Sequence, residues 1–157
     1  MSTITFQDTW TSFSGTETSV RCTTSPNRTP TGAQDRKTAL SVSIYHGTAD
    51  LSSGSSKMYL QGYSYGIQFV GSGKGNNEVC IADLIETRDH QTHDLIHKIT
   101  RILAIRYRRP CYVQLSSRTS GFALNGPDQI SLLQGIANCI DSHTVEGSSA
   151  EKQKLGG

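Results

Sequence analysis

The sequence lacks the features that mark membrane, secreted and redox-active proteins. It has no apolar run long enough to cross a bilayer. Its opening residues, MSTITFQDTW, have neither the basic region nor the apolar stretch of a secretory signal. Its four cysteines are widely spaced and include no C-x-x-C pair, so the spacing of zinc and redox motifs is missing. We therefore expect a protein of the cytoplasm and nucleus whose cysteines are reduced, buried hydrophobes.

Excess positive charge is also missing. The chain has 15 Lys and Arg against 13 Asp and Glu, a formal net charge of +2. Such a balance does not favour the phosphate neutralisation on which general nucleic-acid binding depends. The basic segment has few interleaved aromatic residues beyond Tyr107 and Tyr112, so it offers no stacking platform for single strands. We expect no nucleic acid among the partners.

Two common enzyme motifs are absent. No G-x-S-x-G nucleophile elbow occurs. The glycine-rich segment GSGKGNN at residues 71–77 lacks the pattern of a phosphate loop, G-x-x-x-x-G-K-[ST]. Gln68 stands where the first glycine belongs, and Gly75 stands where a hydroxyl residue would hold magnesium. We interpret the segment as a pliable connection that leads into a strand.

Alternating polar and apolar residues predict about six short strands in a single domain. We place them at about residues 3–7, 40–45, 57–62, 79–85, 111–115 and 121–124. Between the first two strands, residues at about 11–38 are dominated by Ser, Thr and Pro. Because this stretch offers little apolar area for burial, we predict a flexible insertion there. The segment 63–77 is rich in glycine and is predicted to be mostly a connection.

Two amphipathic patterns predict helices. The longer helix is expected at about 92–109, with Thr92 as its cap and Pro110 as its stop. Its predicted apolar face consists of Leu95, Ile96, Ile99, Ile102 and Leu103. The second helix is expected at about 128–140 after Pro127. Its predicted apolar face consists of Ile130, Leu133, Ile136, Ala137 and Ile140. We predict a disordered tail at 143–157.

These elements together predict an α+β fold. Alternating strands are typical of an antiparallel sheet with one covered face. Helices that pack on one side of such a sheet complete the class.

The start of the longer helix carries a possible metal site. His93 and His97 are four residues apart, so they share a helix face, and HDLIH resembles the metalloprotease motif H-E-x-x-H with Asp94 in place of glutamate. The aspartate is one methylene shorter, and carboxylates that could supply a third ligand are scarce downstream. A solvated first turn is the simpler interpretation. Our leading interpretation therefore contains no catalytic, cofactor-binding or metal-ligating residue.

The end of the same helix is basic. The cationic residues there are Lys98, Arg101, Arg106, Arg108 and Arg109. They suit the negative end of the helix dipole, and they are also able to meet an acidic patch on a partner. We predict that they form a protein interface.

The C-terminal half has a distinctive order of elements. A helix with a basic end leads into the strand Cys111–Leu115, and a polar turn leads to Phe122-Ala123-Leu124 and a closing helix. Over about residues 79–142, this order resembles the proteasome assembly chaperone 4 family, especially its fungal members.

The resemblance implies that residues at about 1–142 form one chaperone-like domain without enzymatic activity or cofactor. Members of that family pair with the related assembly chaperone 3. The heterodimer binds α subunits of the 20S proteasome and promotes assembly of the α ring. Neither a membrane nor a nucleic acid is an implied partner.

Two alternatives remain open at this stage. One is a zinc-dependent hydrolase with His93 and His97 as ligands and Asp94 as the general base. The other is a small α/β adaptor, for example in trafficking.

Overall fold

The structure is a computed structural model that describes residues 3–25, 37–47, 58–69, 78–86, 89–118 and 124–144. Six strands and two helices occur in these residues. In chain order they are β1 (Ile4–Thr11), β2 (Glu17–Thr24), β3 (Leu40–His46), β4 (Tyr59–Gln68), β5 (Val79–Ile85), α1 (His90–Tyr107), β6 (Cys111–Ser117) and α2 (Gly126–Thr144).

The six strands form one sheet in the order β1-β2-β3-β6-β4-β5. The neighbouring strands run antiparallel except for β3 and β6, which are parallel. A parallel pair needs a long crossover connection, and here β4, β5 and α1 lie between the two strands in the chain. The predicted α+β class, with about six strands and two helices, is therefore confirmed, and one pair departs from the antiparallel pattern.

The second strand of the sheet lies where we predicted a flexible insertion. Glu17–Thr24 pairs along its length with β1 and β3, so the prediction is wrong for these residues. The side chains at Thr18, Val20, Cys22 and Thr24 are all buried. Because two of these four are threonines, the strand buries one face without a hydrophobic sequence signal. Residues 26–36 of the predicted insertion lie outside the described residues.

The fourth strand is longer than predicted. It runs from Tyr59 to Gln68 and includes residues that we had interpreted as a glycine-rich connection. Residues 70–77, with the GSGKGNN segment, lie outside the described residues. The predicted strand at 121–124 lies mostly outside them as well, and Leu124 belongs to no strand. The β5 strand has the predicted bounds.

The first helix begins at a different cap from the one we predicted. Asp89 is its N-cap, and its carboxylate accepts hydrogen bonds from the backbone N–H groups of Gln91 and Thr92. The Thr92 hydroxyl also donates to Asp89 Oδ2 over 2.6 Å. The helix ends at Arg108, which adopts a left-handed conformation with φ 52°. This conformation turns the chain toward β6.

The second helix is longer than predicted, because it continues to Thr144 and includes the start of the predicted tail. Residues 145–157 lie outside the described residues. Each predicted apolar face includes one isoleucine that is exposed in the structure. These are Ile102 of α1, which is 38% exposed, and Ile130 of α2, which is 57% exposed. The buried side of α2 consists of Asp128, Leu132, Ile136, Cys139, Ile140 and Thr144.

The core lies between the helices and one face of the sheet. Its largest fully buried side chains are Leu40, Ile44, Ile96, Ile99, Leu115, Ile136 and Ile140. Among the described residues, no helix has the length and apolar character needed to span a bilayer.

Candidate functional site

The face of the sheet opposite the core, which we call the open face, has two chemically different halves. Strand register aligns one row of side chains across all six strands, namely Thr5, Thr23, Ser41, Tyr112, Tyr65 and Ala82. A second row contains Gln7, Arg21, Ser43, Gln114, Tyr63 and Ile85. Residues directly opposite each other share a face. The open face is therefore mainly polar on β1–β3 and largely aromatic and aliphatic on β4 and β5, with Tyr112 of β6 beside them.

The non-polar side chains of this half share one face of neighbouring strands, and we call them the apolar patch. It consists of Leu60, Tyr63, Tyr65, Ile67, Ala82, Ile85 and Tyr112. The ring centroids of Tyr65 and Tyr112 are 4.8 Å apart, and those of Tyr63 and Tyr112 are 6.2 Å apart. Leu60 is 43% exposed and Ile85 is 46% exposed. Exposed apolar clusters of this kind mark interaction sites.

The apolar patch was not predicted from the sequence. Its signal was the alternation of Tyr63, Tyr65 and Ile67 with the small residues that β4 turns toward the helices. The glycines in this segment favoured a connection. The alternation of large and small residues, which is typical of a strand, was therefore overlooked.

The apolar patch continues to an edge of the sheet. Within the described residues, β5 is an edge strand whose one pairing partner is β4. Its pairing shifts register between Tyr63 and Ser64 of β4, which indicates a β-bulge. Bulges bend and twist an edge strand and thereby limit uncontrolled edge pairing. The open face is therefore better suited than the bulged edge to a specific contact.

The five residues of the predicted basic interface differ in the structure, because some are exposed and others are paired or buried. Lys98, Arg101 and Arg108 are exposed. Arg106 lies at the surface, where its Nη2 is 2.6 Å from a carboxylate oxygen of Asp141 in α2. Arg109 is only 2% exposed.

Arg109 has a structural role that its position in the sequence did not indicate. Its Nη1 donates to the Thr24 hydroxyl over 2.7 Å and to the Ser25 carbonyl over 2.9 Å. These bonds fasten the end of β2 to the turn after α1. Arg109 is therefore not a residue of an exposed interface, and Lys98, Arg101 and Arg108 stay the predicted contact residues.

The ends of the two helices are joined by Asp141. Its Oδ1 accepts a hydrogen bond from the Tyr107 hydroxyl over 2.8 Å, and its Oδ2 binds Arg106. Burial, together with the Asp141 carboxylate, raises the pKa of Tyr107 far above its usual range. The phenol is thus a permanent donor that fixes the orientation of α1 against α2.

The histidine pair of α1 meets a carboxylate of β5. His93 Nε2 lies 3.0 Å from Asp83 Oδ2, and His97 Nε2 lies 2.7 Å from Asp83 Oδ1. Hydrogen bonding to Asp83 raises the pKa of His93. Burial alone would raise the pKa of the Asp83 carboxyl. Hydrogen bonds from His97, His93 and Ser64 outweigh that effect, so the pKa of Asp83 is lowered. The carboxylate near the pair therefore comes from upstream of α1, and not from downstream as the hydrolase alternative required.

The predicted general base of the hydrolase alternative lies in the wrong place. Asp94 Oδ1 is 3.7 Å from His93 Nδ1, the ring nitrogen that does not face Asp83. A base must lie within hydrogen-bond reach of the water that a metal activates. Asp94 instead faces the outer nitrogen of a candidate ligand, so this geometry does not support the hydrolase mechanism.

Comparisons with known proteins agree with the fold and the resemblance. A chain in a crystal structure described as a novel chaperone complex for yeast 20S proteasome assembly is similar, with a TM-score of 0.65 and 21% identity. The similarity covers 92% of this chain and 99% of that chain. No curated protein matches the sequence. A family model described as 20S proteasome chaperone assembly proteins 3 and 4 matches residues 1–141. The chain therefore belongs to the family of 20S proteasome chaperone assembly proteins 3 and 4.

Proposed function

We propose that this member of the proteasome chaperone family pairs with a related assembly chaperone, and that the pair binds α subunits of the 20S proteasome during α-ring assembly. The chaperone acts by binding, without a chemical step. The observation that carries the pairing is the apolar patch on the open face of the sheet. The solved chain with a similar fold comes from a chaperone complex, which supports an assembly of more than one chain.

A related chaperone suits the open face because it would present a sheet of its own. Two twisted sheets pack face to face about 10 Å apart and interdigitate their side chains. Tyr63, Tyr65 and Tyr112 supply large rigid groups, and aromatic anchors dominate the binding energy of many interfaces. The polar half of the open face would lie at the rim, where exposed polar contacts contribute specificity more than affinity.

Pairing through the open face leaves the helices on the outside of the heterodimer. The exposed cations Lys98, Arg101 and Arg108 belong to α1 and its C-terminal cap, on the opposite side of the sheet. They would stay accessible to a proteasome α subunit. Two distinct faces would thus serve two distinct partners.

The pairing is tested by placing charge in the apolar patch. Leu60→Lys combined with Ile85→Lys introduces two ammonium groups at exposed positions, which the fold tolerates but an apolar interface does not. We expect the affinity for the co-expressed partner chaperone, measured by isothermal titration calorimetry, to fall by about tenfold or more. Thr5→Lys with Thr23→Lys is the matched control, because it adds the same charge to the polar half of the same face.

Three results would contradict the proposal. Equal affinity in the patch variant and the control would remove the apolar patch as the pairing surface. Failure of the wild-type chain to co-purify from native extract with either a related chaperone or proteasome α subunits would remove the function itself. Self-association of the isolated chain, measured by sedimentation, would indicate that the patch binds a second copy instead.

A further inference from the structure

The histidine pair of α1 and the carboxylate of β5 form a cluster that the chaperone function does not use. We propose that Asp83, His93 and His97 bind one divalent transition-metal ion, with Zn²⁺ as the best fit. The site would be independent of the proposed function, because it requires no partner chain and no chemical reaction.

The backbone places the three side chains for a common ligand. His93 and His97 are four residues apart in α1 and therefore project from one side of the helix. Asp83 pairs with Ser64 in β4, and the Ser64 hydroxyl donates to Asp83 Oδ1 over 3.1 Å. Asp83 thus points to the sheet face on which α1 packs. One ligand atom from each of the three residues lies within 4.8 Å of the others.

The separations suit a tetrahedral ion. Zinc bonds of 2.0–2.1 Å to nitrogen and oxygen place neighbouring ligand atoms about 3.3 Å apart. The two imidazole nitrogens lie 3.0 Å and 2.7 Å from the Asp83 oxygens. Small side-chain rotations would therefore admit the ion without a change of backbone. Two imidazoles and one carboxylate favour zinc and its transition-metal neighbours over calcium and magnesium, which prefer oxygen ligands.

One supporting hydrogen bond and one nearby carboxylate are already in place. Metal-binding histidines commonly direct their outer N–H to a carboxylate, which fixes the ring and its tautomer. Asp94 Oδ1 lies 3.7 Å from His93 Nδ1, on the outer side of the ring, and Ser64 holds Asp83 from within the sheet. Asp94, the general base of the hydrolase alternative, thus lies beside a candidate ligand.

A metal ion would satisfy both carboxylates around a neutral His93. A neutral imidazole has one N–H donor and one acceptor nitrogen. His93 has a carboxylate near each ring nitrogen, Asp83 at Nε2 and Asp94 at Nδ1. A neutral ring can donate to only one of them. An ion bound to Nε2 would leave the N–H on Nδ1, directed toward Asp94, and would neutralise Asp83.

The candidate metal site is accessible to solvent, and its three protein ligands do not fill a tetrahedral coordination sphere. The side chains of Asp83, His93 and His97 are between 25% and 29% exposed. Three protein ligands leave a fourth position for water or a donor from another molecule. An ion in this position would clamp the edge strand β5 to the first half of α1.

The test is metal binding to the full, tag-free chain. All variants carry Cys80→Ser, because Cys80 is exposed and its thiolate would compete for zinc. Calorimetric titration with ZnCl₂ should give one ion per chain, and CoCl₂ should give the visible absorption of a tetrahedral complex. His93→Gln, His97→Gln and Asp83→Asn should each weaken binding by about tenfold or more.

Two histidine controls make the assignment specific. His90→Gln changes an exposed histidine of the same helix that lies outside the cluster. His143→Gln changes the second candidate cluster, Asp8, Cys139 and His143. Both controls should keep wild-type affinity. Zinc should also raise the melting temperature of the wild type and both controls but not that of the three ligand variants, each first shown to be folded by circular dichroism.

Absence of saturable zinc binding in the wild type would overturn the proposal and leave the cluster as a hydrogen-bonded pair of histidines on Asp83. Undiminished binding in all three ligand variants would overturn it equally. Loss of binding in His143→Gln alone would move the site to the second cluster.

Discussion

The cysteines of this chain lie in two environments. Cys22, Cys111 and Cys139 are buried, as predicted, but Cys80 is exposed on the edge strand β5. The apolar character of the strand around it led us to expect burial. An edge strand with a helix against one face only leaves every second residue uncovered, and Cys80 lies opposite Ile67 on the open face.

This difference predicts the reactivity of each thiol. Burial raises the pKa of Cys111 to about 12. A hydrogen bond with Cys22, together with burial, raises the pKa of Cys139. Because only the thiolate reacts, one thiol of the isolated native chain should react rapidly with Ellman's reagent near about pH 8, and all four should react after unfolding. Cys80→Ser should abolish the rapid reaction. Rapid reaction that survives this substitution would contradict the assignment.

Arginines next to each other in the sequence also have different roles. Arg108 is exposed and Arg109 is buried, although both follow the same helix. The left-handed conformation at Arg108 turns the chain, so that the next side chain reaches β2. The periodicity of a helix predicts which of its side chains are buried. It does not predict the burial of residues that follow the helix. The candidate interface could therefore be predicted as a basic segment but not resolved into its members.

At the scale of elements, the sequence was informative where one face is strongly apolar. The α1 helix was predicted because its periodicity is clear, and the β5 strand because it is a short run of mostly apolar residues. The β2 strand was missed because two of its buried positions are threonines. The histidine pair was visible from its spacing, whereas Asp83 was not, because the contact between β5 and α1 exists only in the folded sheet.

A glycine in β4 allows α1 to approach the sheet. A Cβ atom at Gly66 would lie 2.5 Å from Thr100 Cγ2. The Thr100 side chain has little freedom to move away, since its hydroxyl donates to the Ile96 carbonyl over 2.7 Å. Gly66→Ala should therefore lower the free energy of unfolding by roughly 1–3 kcal/mol.

Urea denaturation followed by circular dichroism measures this loss as a lower midpoint. Gly126→Ala is the control, because a Cβ atom there meets no atom within 4 Å. Equal midpoints for the two variants would contradict the proposed close approach of helix and strand.

At the scale of the whole molecule, the sheet separates two surfaces of different character. The open face offers aromatic and aliphatic groups, and the helix side offers the cations at and near the end of α1. Apolar burial gives an interface its affinity, whereas charge chiefly raises the association rate and excludes wrong partners. A durable contact on the open face and a briefer, electrostatically guided contact on the helix side would suit the function that we propose, in which the chaperone keeps its partner chaperone and releases the α subunit.

Charge reversal tests this division. Arg101→Glu combined with Arg108→Glu changes two exposed residues, so the fold and the pairing through the open face should be kept. Association with a proteasome α subunit, measured by surface plasmon resonance, should slow by about tenfold at low salt, with a smaller difference at high salt. Arg101→Lys with Arg108→Lys keeps the charge and should bind nearly as the wild type does. An association rate unchanged by the reversal would show that these arginines form only a solvated surface, and the client contact would then have to lie elsewhere on the molecule.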